Sequence, residues 1–285
     1  MNERRYYSHR TGRNPKAVTL DLGMLTRSLL NVYTKFIRDG WFQEAFGYYC
    51  VDAGPGQVAG TLGPDVEAEV FLRLRKADLW PLQERYASYS EDDAFDVIEF
   101  LHDFVSKPVA GFEHDWNNCG WHYQEFDRDS GRAEFRDRIN KLLHDYADGY
   151  ELTEDGEILA LGTEYLRPLL EQELPGYDPE NVNPRVEAAV RKFRHHTPSV
   201  EDKQEAVRQL ADVLEFLRKK LEGVLPSKEE DELFIIANKF GIRHHRADQK
   251  TEYDKEIWLD WIFYCYLNTI HVSVNLLKRA GESSQ

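Results

Sequence analysis

Cysteine is scarce in this 285-residue chain, long apolar runs are absent, and no glycine-rich phosphate loop is complete. Each gap removes a class of protein. Cys50, Cys119 and Cys265 are too few and too scattered for a disulfide framework or a zinc knuckle. They read as thiols of a reducing compartment, with Cys265 in the core. The longest apolar stretches, such as residues 262–267, fall far short of the roughly 20 residues that a membrane span needs. No N-terminal apolar segment resembles a signal peptide, so a soluble, cytoplasmic protein with no membrane partner is expected. Residues 53–64 contain Gly54, Gly56, Gly60 and Gly63 but lack the Lys-Ser/Thr pair of a phosphate loop and follow no clear strand. That segment reads as a linker loop. Neither a Gly-x-Ser-x-Gly elbow nor a dinucleotide fingerprint is present, and no cofactor is expected.

Net positive charge is also missing. The formal net charge is -15 with 31% charged residues, so any nucleic-acid contact has to use a local basic island. One such island covers residues 238–250, where Lys239, Arg243, Arg246 and Lys250 face a single acid, Asp248. The first twenty residues form another, through Arg4, Arg5, Arg10, Arg13 and Lys16, and read as a solvated face or arm. A hydrophobic fraction of 41% with 13% aromatics is that of a globular protein with a substantial core.

The periodicity predicts a mainly α protein. A first helix is expected over about 20–38, with Leu22, Leu25, Leu29, Val32 and Phe36 on one face and Gly40 as its stop. Further helices are expected over 91–106, where the outer face is strongly acidic, and over about 133–146. The period then changes: Tyr150, Leu152, the Asp155-Gly156 turn and Ile158 predict a short β-hairpin. Residues 174–184 hold three prolines and a glycine, and a domain boundary is expected there. This divides the chain into a helical domain over 1–165 that ends in a small hairpin and a four-helix bundle over 184–285. The bundle helices are expected at 185–195, 200–221, 229–240 and 252–278. The second is opened by Ser199 with Asp202 and striped by Ala206, Leu210, Val213, Leu214, Leu217 and Leu221. The last is apolar almost all round in its first half, which predicts a central bundle position or a subunit interface.

Two places carry candidate chemistry. Residues 243–249 form a short connection between two expected helices, closed by a Gly241 C-cap and a Thr251/Asp254 capping box. Polar and cationic side chains gather there with scaffold on both sides, so Arg243, His244 and His245 are candidate functional groups. The bare Arg-x4–6-His pattern recurs at Arg4/His9, Arg138/His144 and Arg191/His196, where a solvent-facing or helix-terminal histidine is the plainer reading. The second place is the set His114, Asp115, Cys119, His122 and Asp127, dense enough to weigh zinc. Its spacing matches no established finger, and Trp116, Gly120 and Trp121 suggest an aromatic-packed loop, so no metal is expected.

Two patches resemble a known family. One combines Asp96-Val-Ile-Glu-Phe-Leu101, Phe135-Arg-Asp-Arg-Ile-Asn-Lys-Leu-Leu143 and Gly149-Tyr-Glu-Leu-Thr-Glu-Asp-Gly-Glu-Ile158. The other combines Gln204-Glu-Ala-Val-Arg-Gln-Leu-Ala-Asp-Val-Leu-Glu-Phe-Leu217 with Gly241-Ile-Arg-His244. In these patches the chain resembles the HEPN superfamily of helical-bundle ribonucleases and RNA-binding proteins, and bacterial abortive-infection proteins of the AbiJ type. The resemblance implies metal-independent RNA cleavage in prokaryotic defence by a homodimer, the ribose 2′-hydroxyl attacking the adjacent phosphate. Carried onto this chain, it assigns Arg243 to the scissile phosphate, His244 or His245 to proton transfer, and Asn238 to orienting one of them. Lys239, Arg246, Lys250, Arg191 and His196 are the implied RNA contacts. The position of the family's histidine falls on residues 247–250, none of which is His. A non-catalytic RNA-binding, sensor or oligomerisation scaffold is therefore the alternative.

Overall fold

The structure, a computed structural model, describes residues 7–11, 19–54, 56–162, 166–174, 176–195, 197–221 and 254–282. The chain is mainly α, with three small two-stranded sheets among the described residues. It divides into two compact units, Met1–Ile158 and Leu159–Gln285.

After the single turn α1 (Tyr7–Arg10), the first unit is built on α2 (Leu22–Arg38). The Asp21 carboxylate accepts from the Met24 N–H at 2.8 Å and satisfies one orphan donor of the first turn. Leu25, Leu29, Tyr33 and Phe36 are buried along one stripe, and Gly40, at φ +82°, turns the chain out. The short helix α3 (Gln43–Phe46) leads into a hairpin of β1 (Tyr48–Tyr49) and β2 (Gln57–Val58). The helices α4 (Val66–Leu74) and α5 (Leu82–Arg85) follow. Next is α6 (Glu91–Phe104), opened by a reciprocal capping box between Ser90 and Asp93.

Residues 107–127 then form a hairpin of two eight-residue strands, β3 (Lys107–His114) and β4 (Gly120–Asp127). Here the structure corrects the expected aromatic loop. The alternation is masked by a register shift around Pro108, Ala110 and Gly111, because an extra residue in one strand moves its side chains to the other face. Helix α7 (Arg128–Leu143) starts five residues earlier than the periodicity suggested, since Asp127 caps it through the Ser130 N–H at 3.0 Å. The expected hairpin is present as β5 (Tyr150–Leu152) and β6 (Ile158–Ala160).

The first core gathers α2, α6 and α7 around Leu25, Leu29, Ile98, Leu101, Phe135, Ile139 and Leu143, all 0% exposed. Burying each such side chain is worth about 1.5–3 kcal/mol. Phe36 meets Phe135 edge to face at 5.4 Å, and Phe42 stacks on Phe46 at 5.0 Å.

In the second unit, α8 (Arg167–Glu171) precedes α9 (Asn183–Phe193), α10 (Val200–Leu221) and α11 (Lys255–Glu282). The stripe of α10 is buried as its spacing required, through Ala206, Leu210, Val213, Leu214, Leu217 and Leu221. It meets α9 on one side and α11 on the other. Phe193 of α9 stacks on Phe263 of α11 at 3.8 Å. Leu174 and Tyr177 pack on the second core and Val182 is fully buried in it, with Pro179 in a turn and Pro184 in the first turn of α9. The expected helix over 229–240 lies outside the described residues.

Candidate functional site

The candidate residues Asn238, Lys239, Arg243, His244, His245, Arg246 and Lys250 all lie outside the described residues, as does His196. What frames them is described. Helix α10 ends at Leu221 and α11 begins at Lys255. Arg191 is an exposed residue of the last turn of α9. Three residues on, Arg194 is 7% exposed and turned inward, its Nε donating to the Ala160 carbonyl at 2.8 Å. Asp260 of α11 is held by Lys203 Nζ at 2.6 Å. On the first turns of α11, Ile257, Trp258 and Trp261 are exposed, the two indoles packed edge to face at 5.6 Å. Of the other Arg/His pairs, Arg138 and His144 line an open groove between α2 and α7 shared with Lys35, Asp39 and Asp137. Charges of both signs line that groove.

A different cluster stands out among the described residues. One ligand atom from each of Cys50, His114, Cys119 and His122 lies within 4.8 Å of all the others. Both side chains at the ends of the set are enclosed: Cys50 is 8% and His122 is 3% exposed. The donors come from the tips of two hairpins. Cys50 directly follows β1, in a tight loop where its N–H donates to the Gly56 carbonyl at 3.2 Å and its carbonyl accepts from Ala53 at 3.1 Å. His114 is the last residue of β3, Cys119 lies in the connection and His122 is in β4 opposite Phe112. That connection is forced into a reversal by Asn117, Asn118 and Gly120, all with φ between +51° and +80°. Asn and Gly are the residues that tolerate the left-handed region.

The surroundings orient each donor. His114 presents Nδ1 to Cys50 Sγ at 3.8 Å, while its Nε2 faces the Asp52 carboxylate at 3.4 Å. Cys119 Sγ accepts the Val51 N–H at 3.4 Å. The His122 ring lies 4.3 Å from that of Tyr48 and 5.1 Å from that of His114, and its Nε2 is buried without a hydrogen-bond partner. Strand β4 is fixed from behind by Gln43. Its Nε2 donates to the Trp121 carbonyl at 2.8 Å and its Oε1 accepts the Tyr123 N–H at 3.1 Å, on either side of His122. From the front, Gly111 allows β3 to close on β4: a Cβ there would overlap the His122 and Tyr123 backbone.

The expectation of no metal weighed residues 114–127 without Cys50, which is 64 residues from His114. Asp115 and Asp127 do not belong to the cluster, and the Asp127 carboxylate is occupied as a helix cap. The residual sequence signal was the Cys119-x2-His122 spacing beside a solitary Cys50 in a Gly- and Pro-containing turn. No family profile, no curated protein and no solved structure matches this chain.

Proposed function

We propose that this protein acts on RNA as a HEPN-like abortive-infection protein of the cytoplasm, cleaving its target without a catalytic metal and working as a homodimer through the second unit. In this reading Arg243 binds the scissile phosphate, where paired guanidinium hydrogen bonds stabilise the developing charge. His244 or His245 moves the proton, Asn238 orients the imidazole, and Lys239, Arg246, Lys250, Arg191 and His196 hold the strand. The observation that carries the reading is charge placement: four basic residues against one acid over 238–250, in a chain of net charge -15, between two helices that pack along a common apolar stripe. Phosphate binding is driven by such local positive charge.

A second reading is a non-catalytic RNA-binding, sensor or oligomerisation scaffold. It is favoured by the exposed Ile257, Trp258 and Trp261 on the first turns of α11, since solvent-facing indoles are enriched where proteins dock. No helix among the described residues is long and apolar enough to cross a membrane.

The deciding measurement is RNA integrity after incubation of total bacterial RNA with wild type or Arg243→Ala in a buffer without added divalent ions. Cleavage by wild type alone, leaving cyclic phosphate ends, supports the nuclease. Intact RNA with folded, dimeric protein, together with loss of the dimer in Trp258→Ala or Trp261→Ala, replaces it with the scaffold.

A further inference from the structure

We propose that Cys50, His114, Cys119 and His122 form a structural zinc site that clips the tips of the β1–β2 and β3–β4 hairpins together. The inference goes beyond RNA binding and rests on residues of the first unit alone.

Geometry comes first. With Zn–S near 2.3 Å and Zn–N near 2.0–2.1 Å at tetrahedral angles, neighbouring S and N ligands should be about 3.6 Å apart. Cys50 Sγ and His114 Nδ1 are 3.8 Å apart, and the whole set falls within 4.8 Å. Donor chemistry selects the ion. Two thiols and two imidazoles suit tetrahedral zinc, whereas magnesium and calcium require oxygen ligands. Four protein donors fill the coordination shell and leave no open position for substrate, which makes the site structural rather than catalytic. On binding, both thiols lose a proton to solvent, and the two thiolates neutralise the dication. The resulting neutral centre suits its enclosed position.

The second observation is the treatment of the donors by their neighbours. Asp52 at His114 Nε2 is the carboxylate–histidine arrangement that holds a ligating imidazole in one tautomer. The Val51 N–H on Cys119 Sγ stabilises a thiolate. His122 has a buried nitrogen with no partner, a costly state that coordination would relieve. Mechanical need points the same way, because β1 and β2 have two residues each, and so short a hairpin does not hold its shape alone.

The test uses the full chain, purified without chelators and without a metal-affinity step. Elemental analysis is expected to give about one zinc per chain. Cys50→Ser and His122→Ala should each bring this below roughly a tenth, while Cys265→Ser, in α11, should retain it. Should the site variants fail to fold, cobalt exchange into wild type decides. Tetrahedral d–d bands together with thiolate-to-cobalt charge-transfer absorption are the expected result. Folded wild type that holds no zinc and takes up no cobalt would overturn the proposal. So would zinc retained in full by Cys50→Ser, or an unreduced mass two hydrogens light, which would mark a Cys50–Cys119 disulfide instead.

Discussion

Replacing Gln43 by alanine is the sharpest probe of how the first unit holds β4. The Gln43 amide acts as a surrogate strand, donating to the Trp121 carbonyl and accepting from the Tyr123 N–H at 2.8 and 3.1 Å. Truncation removes both bonds. Each is worth about 0.5–1.5 kcal/mol net, and because Gln43 is only half-buried water can replace part of the loss, so about 1–2 kcal/mol is expected. For a unit of the size of Met1–Ile158 this corresponds to a fall in Tm of roughly 2–8 °C. Gln43→Glu keeps an acceptor for Tyr123 but turns a carboxylate toward the Trp121 carbonyl, and should be at least as damaging. The assay is thermal unfolding of the three proteins, with hydrogen exchange read at the Tyr123 amide, which should accelerate in both variants. Loss of less than about 0.3 kcal/mol together with unchanged Tyr123 exchange would refute the reasoning, since the two bonds would then carry no net energy.

Gly111→Ala places a methyl group on the His122 and Tyr123 backbone; overpacking of this kind costs about 1–3 kcal/mol, and urea unfolding should show it. His102 is 1% exposed with both ring nitrogens unpartnered, and burial, then the nearby Arg132 charge, holds its pKa below the usual histidine value. The unfolded chain gains a proton below about pH 6.5 that the folded chain refuses, so this contribution is full above that pH and lost as pH falls toward the folded value, by at most about 1.4 kcal/mol per pH unit. His102→Leu should flatten that slope relative to wild type in urea titrations at pH 7 and 5.5; identical slopes would exclude His102. Leu210→Ala empties a fully buried position on α10 and should cost about 2–5 kcal/mol by chemical denaturation. Asn140→Ala cuts the two bonds, at 2.7 and 3.1 Å, that tie the Leu152 backbone to α7, with an expected cost of about 1–3 kcal/mol in the same assay.

Local chemistry makes much of this molecule legible in its sequence. The apolar stripe of α2, the Ser199/Asp202 opening of α10 and the Asp155-Gly156 turn each depend on residues within a few positions of one another, and each is present. Capping and helical periodicity are short-range, so the sequence alone determined them. Long-range placement decided the rest. Strands β3 and β4 were hidden by a register shift that breaks the period of two. Val182, between Pro179 and Pro184, is fully buried in the second core, which depends on packing against helices far along the chain. The cluster of Cys50 with His114, Cys119 and His122 needs two hairpin tips, Gln43 behind β4 and the missing side chain of Gly111, contributions spread over 80 positions of chain between Gln43 and Tyr123. The residue types able to bind a metal were written in the sequence; only tertiary packing, by bringing Cys50 across to the second hairpin, determined that they meet.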